Sequence, residues 1–106
     1  MRDNIKELLD SKQFKEIKKL LSEEQTADIA DSIKDFEIDE IAKVIRLMNK
    51  DMAADVFSEL PLSVETALLS SLTDKEAVSI INEMFADDAA DVLEEMPANI
   101  VDKLLK

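Results

Sequence analysis

The chain contains no glycine, cysteine, histidine, tryptophan or tyrosine, and only two prolines. Each absence removes a class of structure or chemistry. Glycine supplies most of the positive-φ positions that tight hairpins need, so a fold of many two-residue turns is excluded. Without histidine or cysteine there can be no imidazole base, thiolate nucleophile, zinc finger or disulfide. A cysteine-free chain is compatible with the cytosol. No apolar run approaches the ~20 residues that a bilayer-spanning helix requires. Met1-Arg2-Asp3 leads straight into an amphipathic pattern, which predicts that no signal peptide precedes the domain.

What remains is a helical vocabulary. Apolar residues make up 46% of the 106 positions, too many for a disordered acidic tail and enough for one modest core. Leu, Ile, Ala, Glu, Lys and Asp dominate, so residues 1–106 are read as a single all-α domain. The formal net charge is −12 and it is unevenly spread. The first twenty residues carry a slight basic excess, through Lys12, Lys15, Lys18 and Lys19 among others, whereas positions 51–106 are strongly acidic. Such a surface repels nucleic acid and anionic lipid, and its natural complement is a cation or a basic partner. The basic stretch could dock a partner, but an exposed helix face is the plainer reading.

A repeat organises the pattern. The segment Ala53-Ala54-Asp55-Val56-Phe57-Ser58-Glu59-Leu60-Pro61 returns as Ala89-Ala90-Asp91-Val92-Leu93-Glu94-Glu95-Met96-Pro97, and an earlier copy begins at Ile29-Ala30-Asp31. Stepping by twelve from Leu9 meets Leu21, Ile33, Ile45, Phe57, Leu69, Ile81, Leu93 and Leu105, every one apolar. Four residues earlier the column reads Ile5, Ile17, Ile29, Ile41, Ala53, Glu65, Ala77, Ala89, Val101. Three residues later it reads Phe36, Met48, Leu60, Leu72, Met84, Met96 from the third unit onward. Apolar residues at these offsets share one helical face, so each unit is predicted to be a helix of about two turns and a polar connection. Ser22-Glu23-Glu24, Asn49-Lys50-Asp51, Thr73-Asp74-Lys75-Glu76 and Asp87-Asp88 are expected to start helices, with a capping box from Thr73 to Glu76. Pro61 and Pro97 stop the helices before them. Helices this short are marginal alone and must stack, which predicts a solenoid or superhelical array with a roughly 12-residue repeat. The last unit ends at Leu104-Leu105-Lys106 without a polar cap, so the domain is expected to continue into a larger protein.

Candidate functional residues are carboxylates. Asp31, Asp55 and Asp91 stand two before the apolar anchor, about 200° round a helix from it, and so face outward. Asp87 and Asp91, four apart, share one side of a turn, where two negative charges repel unless a cation lies near them. Mg²⁺ suits such a place, since it takes oxygen ligands and often uses only one or two carboxylates. The plainer alternative is that Asp87 and Asp88 complement a helix dipole and the other acids form a solvated face. The alternating ligands and central glycine of an EF-hand are absent, and Met48, Met84 and Met96 fall on the core ladder. No nucleophile–base pair, phosphate loop or closed metal site is present, so the chain is not read as an enzyme.

The strings Ala53-Ala54-Asp55-Val56-Phe57 to Leu60-Pro61 and Asp87-Asp88-Ala89-Ala90-Asp91-Val92-Leu93-Glu94-Glu95-Met96-Pro97 resemble the cytosolic N-terminal domain of MgtE-type magnesium transporters. The resemblance runs from about Ile5 to the end. It implies a right-handed superhelix of short helices on the cytoplasmic side of the cell membrane. It also implies CBS domains, connecting helices and a membrane-embedded pore elsewhere in a homodimeric full-length protein. In such proteins Mg²⁺ bound between the N domain and the CBS domains neutralises acidic surfaces and favours the closed pore. By motif position the ion-facing residues would be Asp55, Asp87 and Asp91, with Asp55 a methylene shorter than a Glu. The competing expectation is a helical-repeat protein–protein interaction module without metal sensing, similar to the flagellar motor-switch protein FliG. That family's Glu-His-Pro-Gln signature cannot occur in a chain without histidine.

Overall fold

The computed structural model describes residues 1–84, 86–95, 98 and 102. Among them are eight α-helices and no strand: α1 (Arg2–Asp10), α2 (Phe14–Ser22), α3 (Thr26–Ile33), α4 (Ile38–Arg46), α5 (Lys50–Glu59), α6 (Leu62–Ser71), α7 (Asp74–Glu83) and α8 (Ala86–Glu95). Their first residues fall at twelve-residue intervals, and each helix has eight to ten residues. The all-α expectation is met.

Helices of this length gain little from propensity and are held by burial. The packing is mainly between helices two apart in the chain: α3 on α5, α4 on α6, α5 on α7 and α6 on α8, with α1 resting on α2. One apolar face per helix supplies the core. Ile5, Ile17, Ile29, Ile33, Ile41, Val56 and Phe57 are fully enclosed, and Leu9, Leu21, Ile45 and Leu69 nearly so. Each such side chain gains roughly 1.5–3 kcal/mol by leaving water. Ala53, Ala54 and Ala77 are also buried and let α5 and α7 approach closely. Towards the C-terminal end the ladder is less covered, with Ile81, Ala89 and Leu93 only partly buried. Met96, Pro97, Val101 and Leu105 lie outside the described residues.

Helix starts follow the burial register more closely than cap chemistry. Asn49 and Thr73 cap as expected: the Asn49 side chain accepts from the Met52 N–H at 2.8 Å, and Thr73 Oγ1 from the Glu76 N–H at 3.2 Å. The Glu76 carboxylate accepts the Thr73 N–H in return at 3.0 Å, completing the capping box. Pro61 precedes α6, where its carbonyl accepts from the Glu65 N–H at 3.0 Å. Ser22-Glu23-Glu24 does not open a helix. Ser22 ends α2 with its hydroxyl donating to the Lys19 carbonyl at 2.7 Å, and α3 starts at Thr26 after an uncapped Gln25. Starting at Thr26 keeps Ile29 and Ile33 inward, and burying those two outweighs a cap worth about 1 kcal/mol.

The turn between α1 and α2 needs a left-handed residue, and with no glycine available Lys12 takes it at φ 59°. Gln13 N–H donates to the Leu8 carbonyl at 2.9 Å and Lys12 N–H to that of Leu9 at 3.1 Å, a Schellman closure with lysine in glycine's usual place.

Ion pairs add cross-links between distant units. Arg46 on α4 grips Glu76 on α7 through Nε at 2.7 Å and its terminal nitrogen at 3.2 Å. Lys50 on α5 reaches Glu83 on α7 at 3.4 Å, Lys6 on α1 pairs with Glu40 on α4, and Arg2 lies 3.8 Å from Asp35.

Candidate functional site

The acidic residues fall into two groups: those with a basic partner and those without. Glu40, Glu76 and Glu83 are absorbed by the ion pairs just described, and Asp31 pairs with Lys34 at 2.9 Å. The Arg46 guanidinium, with the Thr73 N–H, holds the Glu76 carboxyl down at about 2. The Lys6 ammonium likewise lowers Glu40. Asp55, Asp87, Asp88 and Asp91 are exposed and make no ion pair among the described residues. The exposure of Asp31, Asp55 and Asp91 agrees with the twelve-residue register. Asp87 and Asp88 lie in the first turn of α8, where the helix dipole favours negative charge.

The structure brings Asp88 and Asp91 to one side of a cavity of about 150 Å³ where α8 meets α6. Leu62, Met84 and Val92 wall it with carbon, and Ser58 lends a hydroxyl from α5. Glu65 of α6 also lines it, and this residue departs from its column. Every other member of that column in the chain is Ile, Ala or Val, and Glu65 occupies the same inward position with only 6% of its surface exposed. Its Oε2 is buried and has no hydrogen-bond partner among the described residues. Burial, reinforced by the negative charge of Asp88, pushes the Glu65 carboxyl up to about 7. A first-turn position on α6 would favour the ionised form, so desolvation outweighs the helix dipole here. Sequence reasoning did not single out Glu65, although one acid in an otherwise apolar column was the signal that could have found it.

Asp87 and Asp55 do not line this cavity. Among the described residues no three acidic side chains converge tightly enough to hold a metal ion by themselves. Asp55, Asp87 and Asp91 are thus exposed carboxylates without an ion pair among the described residues. At the other end of the chain Lys12, Lys15, Lys18 and Lys19 are exposed and unpaired among the described residues, so the basic stretch is a solvated face beside a 40% exposed Phe14. No helix among the described residues is long and apolar enough to cross a membrane.

The fold and the unpaired carboxylates define a class: a domain of short stacked helices with exposed aspartates on α5 and α8. Comparison with family models makes the class specific. The model of the MgtE intracellular N domain matches residues 24–106, and the chain belongs to that family. The family is a regulatory, intracellular part of magnesium transporters and is not a catalytic one. The match begins within the connection after α2, so α1 and α2 lie outside it. No curated protein matches the chain.

Proposed function

We propose that this domain senses intracellular Mg²⁺ for a magnesium transporter, with Asp55, Asp87 and Asp91 as its ion-facing carboxylates. The reading extends the twelve-residue unit into a right-handed superhelix that presents these residues to the CBS domains and connecting helices of a homodimeric full-length protein. Mg²⁺ at that interface offsets the repulsion between acidic surfaces and favours the compact arrangement with the pore closed. When the ion is scarce, like charges separate the parts and the population shifts towards the open pore. A domain of net charge −12 makes this repulsion substantial. The observation that carries the reading is the set of unpaired, outward aspartates on α5 and α8 in a chain of this family.

A residue-resolved NMR titration with paramagnetic Mn²⁺ in place of Mg²⁺ tests it, at ~150 mM salt to screen diffuse attraction. Broadening centred on Asp55, Asp87 and Asp91, and reversed by excess Mg²⁺, is the expected result. Uniform weak broadening over all acidic residues, unchanged when the rest of the transporter is restored, would overturn the sensing role.

A further inference from the structure

Four lysines fall in the turn before α2 and along it, and most are placed against local stability. Lys12 takes the left-handed turn position that glycine fills without strain. Lys15 sits in the first turn of α2, where the helix dipole opposes a positive charge. Lys18 and Lys19 follow it at three and four residues, a spacing at which like charges repel. All four are exposed, and none makes an ion pair among the described residues. Phe14 adds an aromatic ring that is 40% exposed, and with Lys12 and Lys15 it lines an open hollow of about 520 Å³.

The helix collects these groups on one side. At about 100° per residue, Phe14, Lys18, Lys15 and Lys19 share an arc of about 140°. Ile17 and Leu21 are buried on a neighbouring arc, and Glu16, the one acid of α2, falls outside the basic one. Local rules broken together, with no internal partner to compensate, point to an external one. An apolar ring among lysines on an exposed helix face is the composition that suits a lipid interface. The family is part of a membrane transporter, so a bilayer belongs to its setting.

We propose that this face of α2 docks on a bilayer surface rich in anionic lipid, with Lys12, Lys15, Lys18 and Lys19 against the headgroups and the Phe14 ring seated among them. The acids of α5 and α8 lie on helices whose main packing is on α3, α6 and α7. Salt screens such charges over ~8 Å, so the net charge of −12 does not cancel a local basic face. The inference does not rest on the sensing role, because none of its residues is among Asp55, Asp87 and Asp91.

The test is co-sedimentation of the 106-residue chain with lipid vesicles, in EDTA so that no divalent ion bridges acid to lipid. Binding is expected with phosphatidylcholine and phosphatidylglycerol in equal parts, and none with phosphatidylcholine alone. It should weaken as salt rises. Lys15→Gln with Lys19→Gln should reduce it about 25-fold, on a loss of about 5-fold for each lysine. Lys43→Gln with Lys75→Gln changes the net charge equally on α4 and α7 and should leave binding nearly unchanged. Phe14→Trp gives the chain its one tryptophan, whose emission should shift to the blue on the mixed vesicles. A helical CD spectrum identifies folded variants. No binding to the mixed vesicles at ~50 mM salt, an unshifted emission, or equal losses in the two lysine pairs overturns the proposal. Self-association that Lys15→Gln with Lys19→Gln abolishes, without vesicle binding, overturns it too and assigns the lysines to the acidic surface of a second copy.

Discussion

Replacing Glu65 with glutamine should stabilise the protein, and the gain should grow with pH. The native carboxyl titrates near 7, against an ordinary value of 4.5, because burial and Asp88 disfavour its charge. Between those two values the folded state holds a proton that the unfolded state has released. Stability therefore falls as pH rises through this window, and the loss is complete above about 7. A shift of this size corresponds to at most about 3 kcal/mol at 1.36 kcal/mol per unit. Relaxation and water entry reduce the realised figure to roughly 2 kcal/mol. Glutamine cannot ionise, so the stability of Glu65→Gln relative to the unaltered chain should increase by about 2 kcal/mol between pH 5 and pH 8. Contributions from carboxylates that do not interact with Glu65 cancel in the difference. With no tryptophan or tyrosine to report, the assay is urea unfolding followed by far-ultraviolet CD, in EDTA at fixed ionic strength. A stability difference that stays level across this range would refute both the burial of Glu65 and the repulsion from Asp88.

The Arg46–Glu76 pair acts with the opposite sign. Because the Glu76 carboxyl is held near 2 in the folded state, its contribution is present above about 4.5 and is lost as pH falls towards 2. Solvent reaches both side chains, so Arg46→Met should lower stability by only about 1 kcal/mol at pH 7, and by less in acid unfolding curves below pH 3. Lys12→Gly should raise stability by about 0.5 kcal/mol, since relief of the left-handed strain exceeds the entropy glycine adds to the unfolded chain. A thermal midpoint unchanged or lowered would count against the Schellman closure. Phe57→Ala removes a fully buried ring from α5 and should reduce stability by about 3–5 kcal/mol, measured by the same urea titration.

The helical class and the inward face were legible because both depend on a local property, the spacing of apolar side chains along one element. Ile5, Ile17, Ile29 and Ile41 are wholly buried, as their column required. Thr73 and Asn49 were legible as caps for the same reason, since each needs only the three residues that follow it. Ser22 was misread because its cap chemistry competes with the burial of Ile29 and Ile33, and the second effect is larger. The partners of Arg46 and Lys50 could not be read at all. Glu76 and Glu83 meet them only after α4 and α5 have settled against later helices, so the contact belongs to tertiary structure. Within the acidic surface, sequence position distinguished outward aspartates from the core. The pairing of Asp31 with Lys34, three residues on, was a local signal that the reading passed over, for Asp55 and Asp91 have no basic residue at that spacing.

The packing of each helix on the one two places ahead has a kinetic consequence. Partners such as α3 and α5, or α6 and α8, are separated by a single short helix, so native contacts close small loops and lose little chain entropy. Proteins dominated by contacts this local fold in microseconds to milliseconds. On the ribosome, α3 can dock as soon as α5 has emerged, long before the acidic C-terminal helices are made. Assembly then advances helix by helix, and the mutually repelling carboxylates of α8 join a structure already in place.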